Sequence, residues 1–294
     1  MPEVRRLATT RPKLKVGFFD FWENYQPANG YFHRVLSTRF TVEIDQSRPD
    51  IALFSVFGEQ HRSVSCKKYH FTGETRKAPA GSYDYSFTFD PTGGVNYRLP
   101  LWVMYIDWFG APASSGCNPA YLIPLDALSV RPPPGRKPLF CNFIYNNDSG
   151  ARVSFLETLE KRRAVDCLGA LRNNRDHLGG DELTKIEAQR RYRFSVAFEN
   201  TIALGYVTEK ILHPLAAQSV PIYWGCLEAA TDFNADAFLD ARSYPSLEAL
   251  ADAVMELESD QARWESMVTA PAFRDGPAPA LRPEAVADFF ERTI

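Results

Sequence analysis

Short apolar runs alternate with amphipathic stretches along most of the chain, a pattern typical of α/β proteins. In the first part, this pattern predicts a helix at 30–40 and β-strands at 13–20, 41–45, 50–57, 67–73 and 83–89. The second part predicts strands at 139–145, 164–169, 193–199 and 219–224. Helices are predicted there at 149–162, at 181–192, after Thr208 and at 282–293. Each part therefore has the alternation expected of a Rossmann-like α/β domain.

A proline-rich stretch, "SVRPPPGRKP" at 129–138, separates the two parts and is the best linker candidate. We accordingly predict an amino-terminal α/β domain over 1–133 and a carboxyl-terminal one over 134–294. The final helix has Pro283 at its start, a favoured position for proline. We expect this helix to pack back on the first domain.

A cluster of polar residues lies at the joint between a predicted strand and helix, in "FENTIALGYVTEKILHPLAAQSVPIYWG" (198–225). Open α/β sheets bind ligands at this place, beyond the carboxyl ends of their strands. Thr208 is a suitable N-cap, which puts Glu209 and Lys210 in the first turn. A helix start and a lysine together suit a diphosphate, and a carboxylate suits the two hydroxyls of a ribose. Taken alone, such a Glu-Lys pair is more often an ordinary solvated helix start.

Composition narrows the classes of protein that remain. The 294 residues have a net charge of −3 and a pI near 6.0, which argues against a nucleic-acid binder. No apolar run approaches the roughly 20 residues of a transmembrane helix, and no secretory signal is evident. The five cysteines are scattered without a Cys-x-x-Cys pair, which favours a reducing cytoplasm over a disulfide framework or zinc site.

Several motifs of competing enzyme classes are absent from the sequence. No two glycines are spaced as Gly-x-Gly, and there is no Gly-x₄-Gly-Lys loop or Gly-x-Ser-x-Gly elbow. No Asp-x-Asp pair is present to hold a metal beside a diphosphate, so we expect no essential metal or other cofactor. The scattered histidines, His70 and His213 among them, are expected to be packing or surface residues.

Three stretches together resemble glycosyltransferase family 10, the α-1,3/4-fucosyltransferases. "FENTIALGYVTEK…VPIYWG" is similar to the donor-binding motif of the family. "YHFTGETRKAP…YDYSFTFD…NYRLPLWV" (69–103) resembles its amino-terminal signature, and "NNDSGARVSFLETL" (146–159) resembles its Asn/Ala-Arg segment. The resemblance spans about residues 50 to 225. In departure from the family pattern, Thr75 follows Thr-Gly-Glu and Pro214 interrupts the donor helix.

The resemblance implies a GT-B fold, with two Rossmann-like α/β domains facing a cleft, and inverting transfer of L-fucose from GDP-β-L-fucose. It places the catalytic base at Glu74, in the first domain. The resemblance puts donor-binding residues in the second domain: phosphate-binding cations at Arg152 and Lys210, and further positions at Asn200, Tyr206 and Glu209, with Glu199 adjoining. Single displacement needs such a base and charge stabilisation of the departing diphosphate.

The resemblance specifies the acceptor less closely than the donor. Family acceptors point to an oligosaccharide or glycolipid, with α-1,3 transfer to GlcNAc or Glc of a lactosamine-type chain. Trp22, Glu23 and Tyr25 follow the first strand, where rings could stack on a sugar. The expected setting is cytoplasmic, free or loosely attached to the inner membrane face, with no transmembrane segment. Alternatives are a transferase of the same fold using another sugar nucleotide, a non-catalytic sugar-nucleotide-binding protein, or Glu199 as the base.

Overall fold

The computed structural model describes residues 11–110 and 121–294. Its first half is built on a parallel six-stranded sheet in the order β2-β1-β3-β4-β5-β6. The strands are β1 (Lys13–Phe19), β2 (Thr41–Ile44), β3 (Ile51–Phe54), β4 (Lys67–Phe71), β5 (Tyr85–Thr88) and β6 (Asn96–Arg98). The five predicted strands are confirmed, each slightly shorter than predicted, and β6 was not predicted. A short parallel pair, β7 (Ile106–Asp107) and β8 (Ile123–Pro124), follows.

The second half contains a parallel five-stranded sheet in the order β10-β9-β11-β12-β13. Its strands are β9 (Leu139–Phe143), β10 (Asp166–Cys167), β11 (Tyr192–Phe198), β12 (Val220–Trp224) and β13 (Leu239–Asp240). Buried and mostly apolar side chains occupy both faces of β9, β11 and β12, as expected of parallel strands covered by helices. The predicted α/β class is thereby confirmed in both halves.

The helices include every one that the sequence predicts and others that it does not. They are α1 (Tyr31–Ser37), α2 (Ala151–Glu160), α3 (Glu182–Gln189), α4 (Glu209–Ala216), α5 (Ala229–Asp232), α6 (Leu247–Ser259), α7 (Gln261–Thr269) and α8 (Pro283–Thr293). Thr208 caps α4 as predicted, with its hydroxyl accepting from the Lys210 N–H at 3.4 Å. Pro214 lies inside α4, which continues for two residues beyond it.

Both sheets reverse their strand order at one place, between β1 and β3 in the first and between β9 and β11 in the second. Loops leaving neighbouring strands diverge to opposite faces at such a point and leave a crevice where open α/β sheets bind ligands. The segments with Trp22, Arg152 and Glu199 follow β1, β9 and β11. Glu74 follows β4, which lies next to β3. The topology alone therefore marks two places for binding, one in each half.

One apolar core contains residues of both halves, and a separate core lies within the second half. Phe290 of α8 packs against Phe32 of α1 and Phe87 of β5, with ring centroids 6.2 and 5.0 Å apart. The last helix thus lies on the first sheet. Arg131, in the proline-rich stretch, donates to the carbonyls of Leu215 and Ala216 at the end of α4, so this connection is held against the second half.

Cys66, Cys141, Cys167 and Cys226 are free thiols, and Cys117 lies outside the described residues. Within residues 11–110 and 121–294, no helix combines the length and apolar character needed to cross a bilayer.

Candidate active site

Glu199 directly follows strand β11 and is completely buried at the start of α4. Its two carboxylate oxygens accept from the backbone N–H and the hydroxyl of Thr208, both at 2.8 Å. A side chain on Gly225 would meet the Glu199 Cγ at 2.6 Å, so a glycine is required at that neighbouring strand exit. Burial raises the pKa of Glu199. Glu199 therefore fixes the start of α4 through its two hydrogen bonds to Thr208.

Lys210 joins the two carboxylates of this segment. Its Nζ lies 3.5 Å from Glu199 Oε2 and 3.3 Å from Glu209 Oε1. Burial acts to lower the pKa of Lys210, but the charges of Glu209 and Glu199 outweigh it and raise that pKa. Burial acts to raise the pKa of Glu209, and the charges of Lys210 and Lys185 instead bring it down to about 2. The ammonium and the Glu209 carboxylate are thus both charged at neutral pH.

Arg152 lies in the first turn of α2, at the crevice between β9 and β11, and is 2% exposed. Its guanidinium donates to the carbonyls of Phe198 and Asn147 and, at 2.5 Å, to Asn200 Oδ1. It also lies over the ring of Tyr145, 4.1 Å from the centroid. These bonds use four of the five N–H groups of an arginine, so one remains for a ligand within the described surroundings. Arg152 and Asn200 are thereby brought together.

Tyr206 is nearly buried where the two halves meet. Its ring is edge-on to that of Phe89, at 5.2 Å, just after β5. The preceding Gly205 has φ +72°, and a Cβ there would lie 2.0 Å from the carbonyl oxygen of Phe89. The loop before α4 therefore passes directly against the first half, which only glycine permits at this position.

A polar cavity of about 200 Å³ opens beside Glu209. Lys185 and His213 line it, together with Asn146 and the Gly179–Gly180 turn. Burial lowers the pKa of Lys185 and, with the Lys185 charge added, brings that of His213 to about 3. Lys185 was not predicted as a site residue. The signal available for it was the Gly-Gly-Asp turn before α3, with Lys185 one turn into the helix.

Glu74 follows β4 in a tight turn and is exposed. Buried Thr72 makes the turn, since its hydroxyl accepts from the Glu74 N–H and lies 2.9 Å from the Arg76 carbonyl oxygen. Gly73 lets Leu101 approach, because a Cβ at Gly73 would lie 2.6 Å from the Leu101 Cδ1. The turn thus presents the Glu74 carboxylate at the carboxyl end of the first sheet.

The Glu74 side chain lines a cavity of about 190 Å³ at the crevice between β1 and β3. Trp22, which follows β1, lines the same cavity, as does Ser55, which follows β3. Glu23 and Tyr25 lie in the Trp22 loop but do not line it; the Tyr25 ring stacks on Phe21 at 4.1 Å. Of the candidate acceptor contacts, only Trp22 is therefore brought to Glu74.

Tyr105 connects the two cavities, because it lines both the one with Glu74 and the one with Glu209. Its ring is edge-on to His213 at 5.5 Å. Burial raises the pKa of Tyr105, and the negative charges of Glu209, Glu182 and Glu74 raise it further. No local pattern in the sequence marks Tyr105, whose role depends on two distant segments meeting. Among residues 11–110 and 121–294, no three His, Cys, Asp or Glu side chains are grouped to hold a metal ion.

Comparison with known proteins gives the same family in both halves. Residues 16–105 match the model described as alpha-(1,3)-fucosyltransferase FucT N-terminal domain. Residues 134–269 match glycosyltransferase family 10 (fucosyltransferase) C-term. The two ranges together take in more than half of the chain.

Similar proteins include alpha-(1,3)-fucosyltransferase FucT of Helicobacter pylori, 25% identical, with 87% of this chain and 60% of that protein aligned. The human 4-galactosyl-N-acetylglucosaminide 3-alpha-L-fucosyltransferase is 32% identical over 40% of this chain and 32% of its own length. The chain thus spans three fifths and one third of these relatives.

A crystal structure of alpha1,3-fucosyltransferase with GDP-fucose superposes with a TM-score of 0.76 at 22% identity, covering 99% of this chain and 93% of the other. That likeness confirms the predicted GT-B fold. Because family models match both halves and the fold agrees with them, the chain belongs to glycosyltransferase family 10.

Proposed function

We propose that this protein transfers L-fucose from GDP-fucose to a hydroxyl of a glycan acceptor, with inversion at the sugar carbon. The observation that carries the proposal is Tyr105, which joins a cavity containing an exposed carboxylate, Glu74, to one beside the Lys210 cluster. A displacement needs these two chemistries on opposite sides of the reacting carbon. The relatives named above support fucose and GDP as the donor.

In this proposal residues 134–294 hold the donor. Lys210 and the remaining N–H of Arg152 bind the diphosphate, assisted by the start of α4. Glu209 accepts from the ribose hydroxyls, and Tyr206 and Asn200 border the nucleotide. Glu199 acts through Thr208 and Lys210, because it is fully buried.

Residues 1–133 hold the acceptor and the base. Glu74 removes the proton from the attacking hydroxyl, while Trp22 contacts the acceptor ring within the same cavity. Glu23 and Tyr25 are candidates for contacts outside that cavity. By analogy with the human relative's name, we propose α-1,3 transfer to GlcNAc or Glc of a lactosamine-type chain. The cations replace a metal in stabilising the departing GDP, and the enzyme works in the cytoplasm.

The test incubates the purified protein with GDP-fucose and N-acetyllactosamine and follows GDP release and the product by mass spectrometry and NMR. We expect an α-linked fucose from the β-linked donor, and most of the rate in the presence of EDTA. UDP-galactose and GDP-mannose serve as competing donors. Transfer only from one of these, or a β-linked product, would contradict the proposal, and full dependence on Mn²⁺ or Mg²⁺ would contradict its metal-free step.

A further inference from the structure

A second cavity, of about 350 Å³, opens beside the one that contains Glu74. It is bounded by the residues that follow β3 and by the segment from Arg76 to Ser82. Ser55 and Phe57 line both cavities, so the two meet at these side chains. The second cavity therefore offers space for the unit next to an acceptor sugar placed beside Glu74.

The Ser55 hydroxyl lies where the cavities meet and has no hydrogen-bond partner among the described residues, although Ser55 is only 2% exposed. A buried polar group without a partner costs free energy, so such a group in a native site normally bonds a ligand or water. Trp22, which lines the Glu74 cavity, has a buried Nε1 that likewise has no hydrogen-bond partner among the described residues. Both point to a hydroxyl-rich ligand that completes them.

Phe57 gives the junction an apolar surface. Its side chain is 49% exposed, and the neighbouring residues Gly58 to Gln60 are exposed as well. The ring carries the Arg76 guanidinium 5.8 Å from its centroid. An exposed aromatic ring beside polar groups can take the apolar face of a sugar ring.

The second cavity carries excess positive charge. Its described lining includes three cations, Arg62, Arg76 and Lys77, against one carboxylate, Glu59. Arg62 pairs with Glu59 at 3.0 Å, and Lys77 pairs with Asp90. Arg76 is in no ion pair within the described ranges; it donates to the Val56 carbonyl and keeps further N–H groups. A guanidinium without an ion pair and with N–H groups to donate favours binding of a carboxylate or phosphate.

The wall of the cavity is held in place from within the fold. Buried Asp20 accepts from the backbone N–H of Gln60 at 2.8 Å and from that of His61 at 3.0 Å. Its carboxylate also contacts His61 Nδ1 at 2.6 Å, and the His61 ring stacks on Phe54 at 3.9 Å. The loop between Ser55 and His61 therefore keeps its shape without a ligand, as a binding site requires.

We propose that the second cavity binds the sugar next to the fucosylated one, that this sugar carries a negative charge, and that Arg76 recognises the charge. This inference rests on the proposed function, since it takes Glu74 to mark the reacting hydroxyl. Ser55 donates to or accepts from the acceptor at the junction. The acceptor class is then an acidic oligosaccharide, with the charge supplied by a carboxylate or a phosphate.

The test compares three acceptors that differ in a single group. They are N-acetyllactosamine, its analogue with the galactose hydroxymethyl oxidised to a carboxylate, and its galactose 6-phosphate. At low salt we expect kcat/KM for at least one charged acceptor to exceed that for the neutral one by about fivefold, the upper range for an exposed charge pair. The excess should shrink in 0.5 M NaCl, because salt screens exposed charges. The charged acceptor with the higher kcat/KM shows whether the site recognises a carboxylate or a phosphate.

Arg76→Gln should bring the charged-to-neutral ratio close to one. Arg263→Gln, on helix α7 of the other half, is the matched control and should leave the ratio as in the wild type. Ser55→Ala should raise KM for all three acceptors without lowering the melting temperature, because an unpartnered hydroxyl contributes no hydrogen bond within the protein. Equal kcat/KM for the three acceptors, or a preference that survives Arg76→Gln, would overturn the proposal.

Calorimetric titration of the three disaccharides in the presence of GDP separates this inference from the proposed function. If no fucose is transferred but a charged disaccharide binds more tightly through Arg76, the second cavity is supported and the transferase proposal fails. If fucose is transferred equally to all three, the transferase proposal holds and the charge recognition fails.

Discussion

Glu199 and Glu209 lie on either side of Lys210, and their environments move their acidities in opposite directions. Burial raises the pKa of Glu199, whereas the Lys210 and Lys185 charges overcome burial at Glu209. One ammonium thus serves two carboxylates, with Thr208 completing the bonds to the buried one. A diphosphate arriving at this helix start meets a lysine already fixed in place, which reduces the entropy lost on binding.

Lys210→Ala should weaken GDP binding by about 1.5–3 kcal/mol, the range of a charge-assisted hydrogen bond. It should also lower stability, because Glu199 is left buried without its countercharge. Isothermal titration with GDP, run well below the melting temperature of the variant, separates the two effects. Lys161→Ala, an exposed lysine at the end of α2, is the control. If Lys210→Ala bound GDP with wild-type affinity, the diphosphate site would have to lie elsewhere.

Glu74→Gln keeps the shape of the side chain and removes its ability to accept a proton. As the proposed base, it should lower kcat by roughly 10²–10⁴ while leaving GDP-fucose affinity near the wild-type value. Single-turnover rates and GDP titration measure the two quantities. Glu157→Gln, on the exposed face of α2, should change neither. A fully active Glu74→Gln enzyme with chemistry rate-limiting would exclude this role.

Because His70 is buried, we expect the folded protein to lose stability in mild acid. This histidine is fully buried, its Nε2 accepts from the Ala78 N–H, and burial lowers its pKa to about 4. The unfolded chain, with a histidine pKa near 6.5, binds the proton first, so the stabilising effect is complete above pH 6.5 and falls as pH drops towards 4. One such group contributes up to about 1.4 kcal/mol per pH unit in that window.

Urea unfolding at pH 6.5, 5.5 and 4.5 measures this slope. His70→Gln keeps an acceptor for Ala78 and should make the slope shallower; exposed His177→Gln should leave it unchanged. His213, whose pKa burial lowers to about 3, adds to the wild-type slope. An identical slope in His70→Gln and wild type would show that other groups cause the acid sensitivity.

At the level of elements, hydrophobic periodicity predicts most of the fold. Strand β12 is an uninterrupted apolar run, β11 is apolar except for Arg193 and Ser195, and Thr208 marks the start of α4. No element was predicted within 226–281, although Ser246 caps α6 and this helix has a regular apolar face. Strands β6 and β13, which have only three and two residues, were not predicted either. Such short strands form because a neighbouring strand is present, so their own sequences carry little signal.

The candidate site was predictable where one segment carries it and not where segments meet. Thr208, Glu209 and Lys210 are consecutive, so their common position follows from the helix start alone. Tyr105 and Ser55 acquire their roles only when loops from different strands come together, which no local spacing reveals. The family resemblance supplied Glu74 and Arg152.

The loop between β11 and α4 gives an element-scale prediction at Gly205. Gly205→Ala would require a left-handed φ of +72° and place a Cβ 2.0 Å from the Phe89 carbonyl oxygen. We expect a loss of at least 1–3 kcal/mol in unfolding free energy, the cost of backbone strain, measured by urea denaturation. Gly150→Ala, also at φ +70° but with open space around its Cβ, is the control for φ alone. Equal losses would mean that the contact with Phe89 is easily relaxed.

At the scale of the whole molecule, apolar and polar contacts together hold one half against the other. The apolar core continues from the first sheet through α4 to the segment around Phe273. One polar cluster crosses the same boundary: Arg98, at the end of β6, bonds both oxygens of Asp232 in α5, at 2.9 and 2.7 Å. Trp102 Nε1 donates to the same carboxylate at 3.1 Å. Two cavities meeting at Tyr105 require this relative position.

Asp232→Ala tests the cluster, because the Asp232 side chain is 4% exposed and its loss leaves Arg98 and Trp102 without their acceptor. Breaking a buried pair costs about 3–5 kcal/mol, and we expect about 3 kcal/mol because the Arg98 side chain retains 20% exposure. Asp236→Ala is the matched control four residues later. It removes an exposed pair with Arg274 and should change unfolding free energy by less than about 0.5 kcal/mol. Urea unfolding followed by tryptophan fluorescence and circular dichroism gives both values and shows whether the halves still unfold together. If the two variants lose equal stability, the Asp232 cluster does not fix the halves, and kcat in Asp232→Ala should then match that of the wild type.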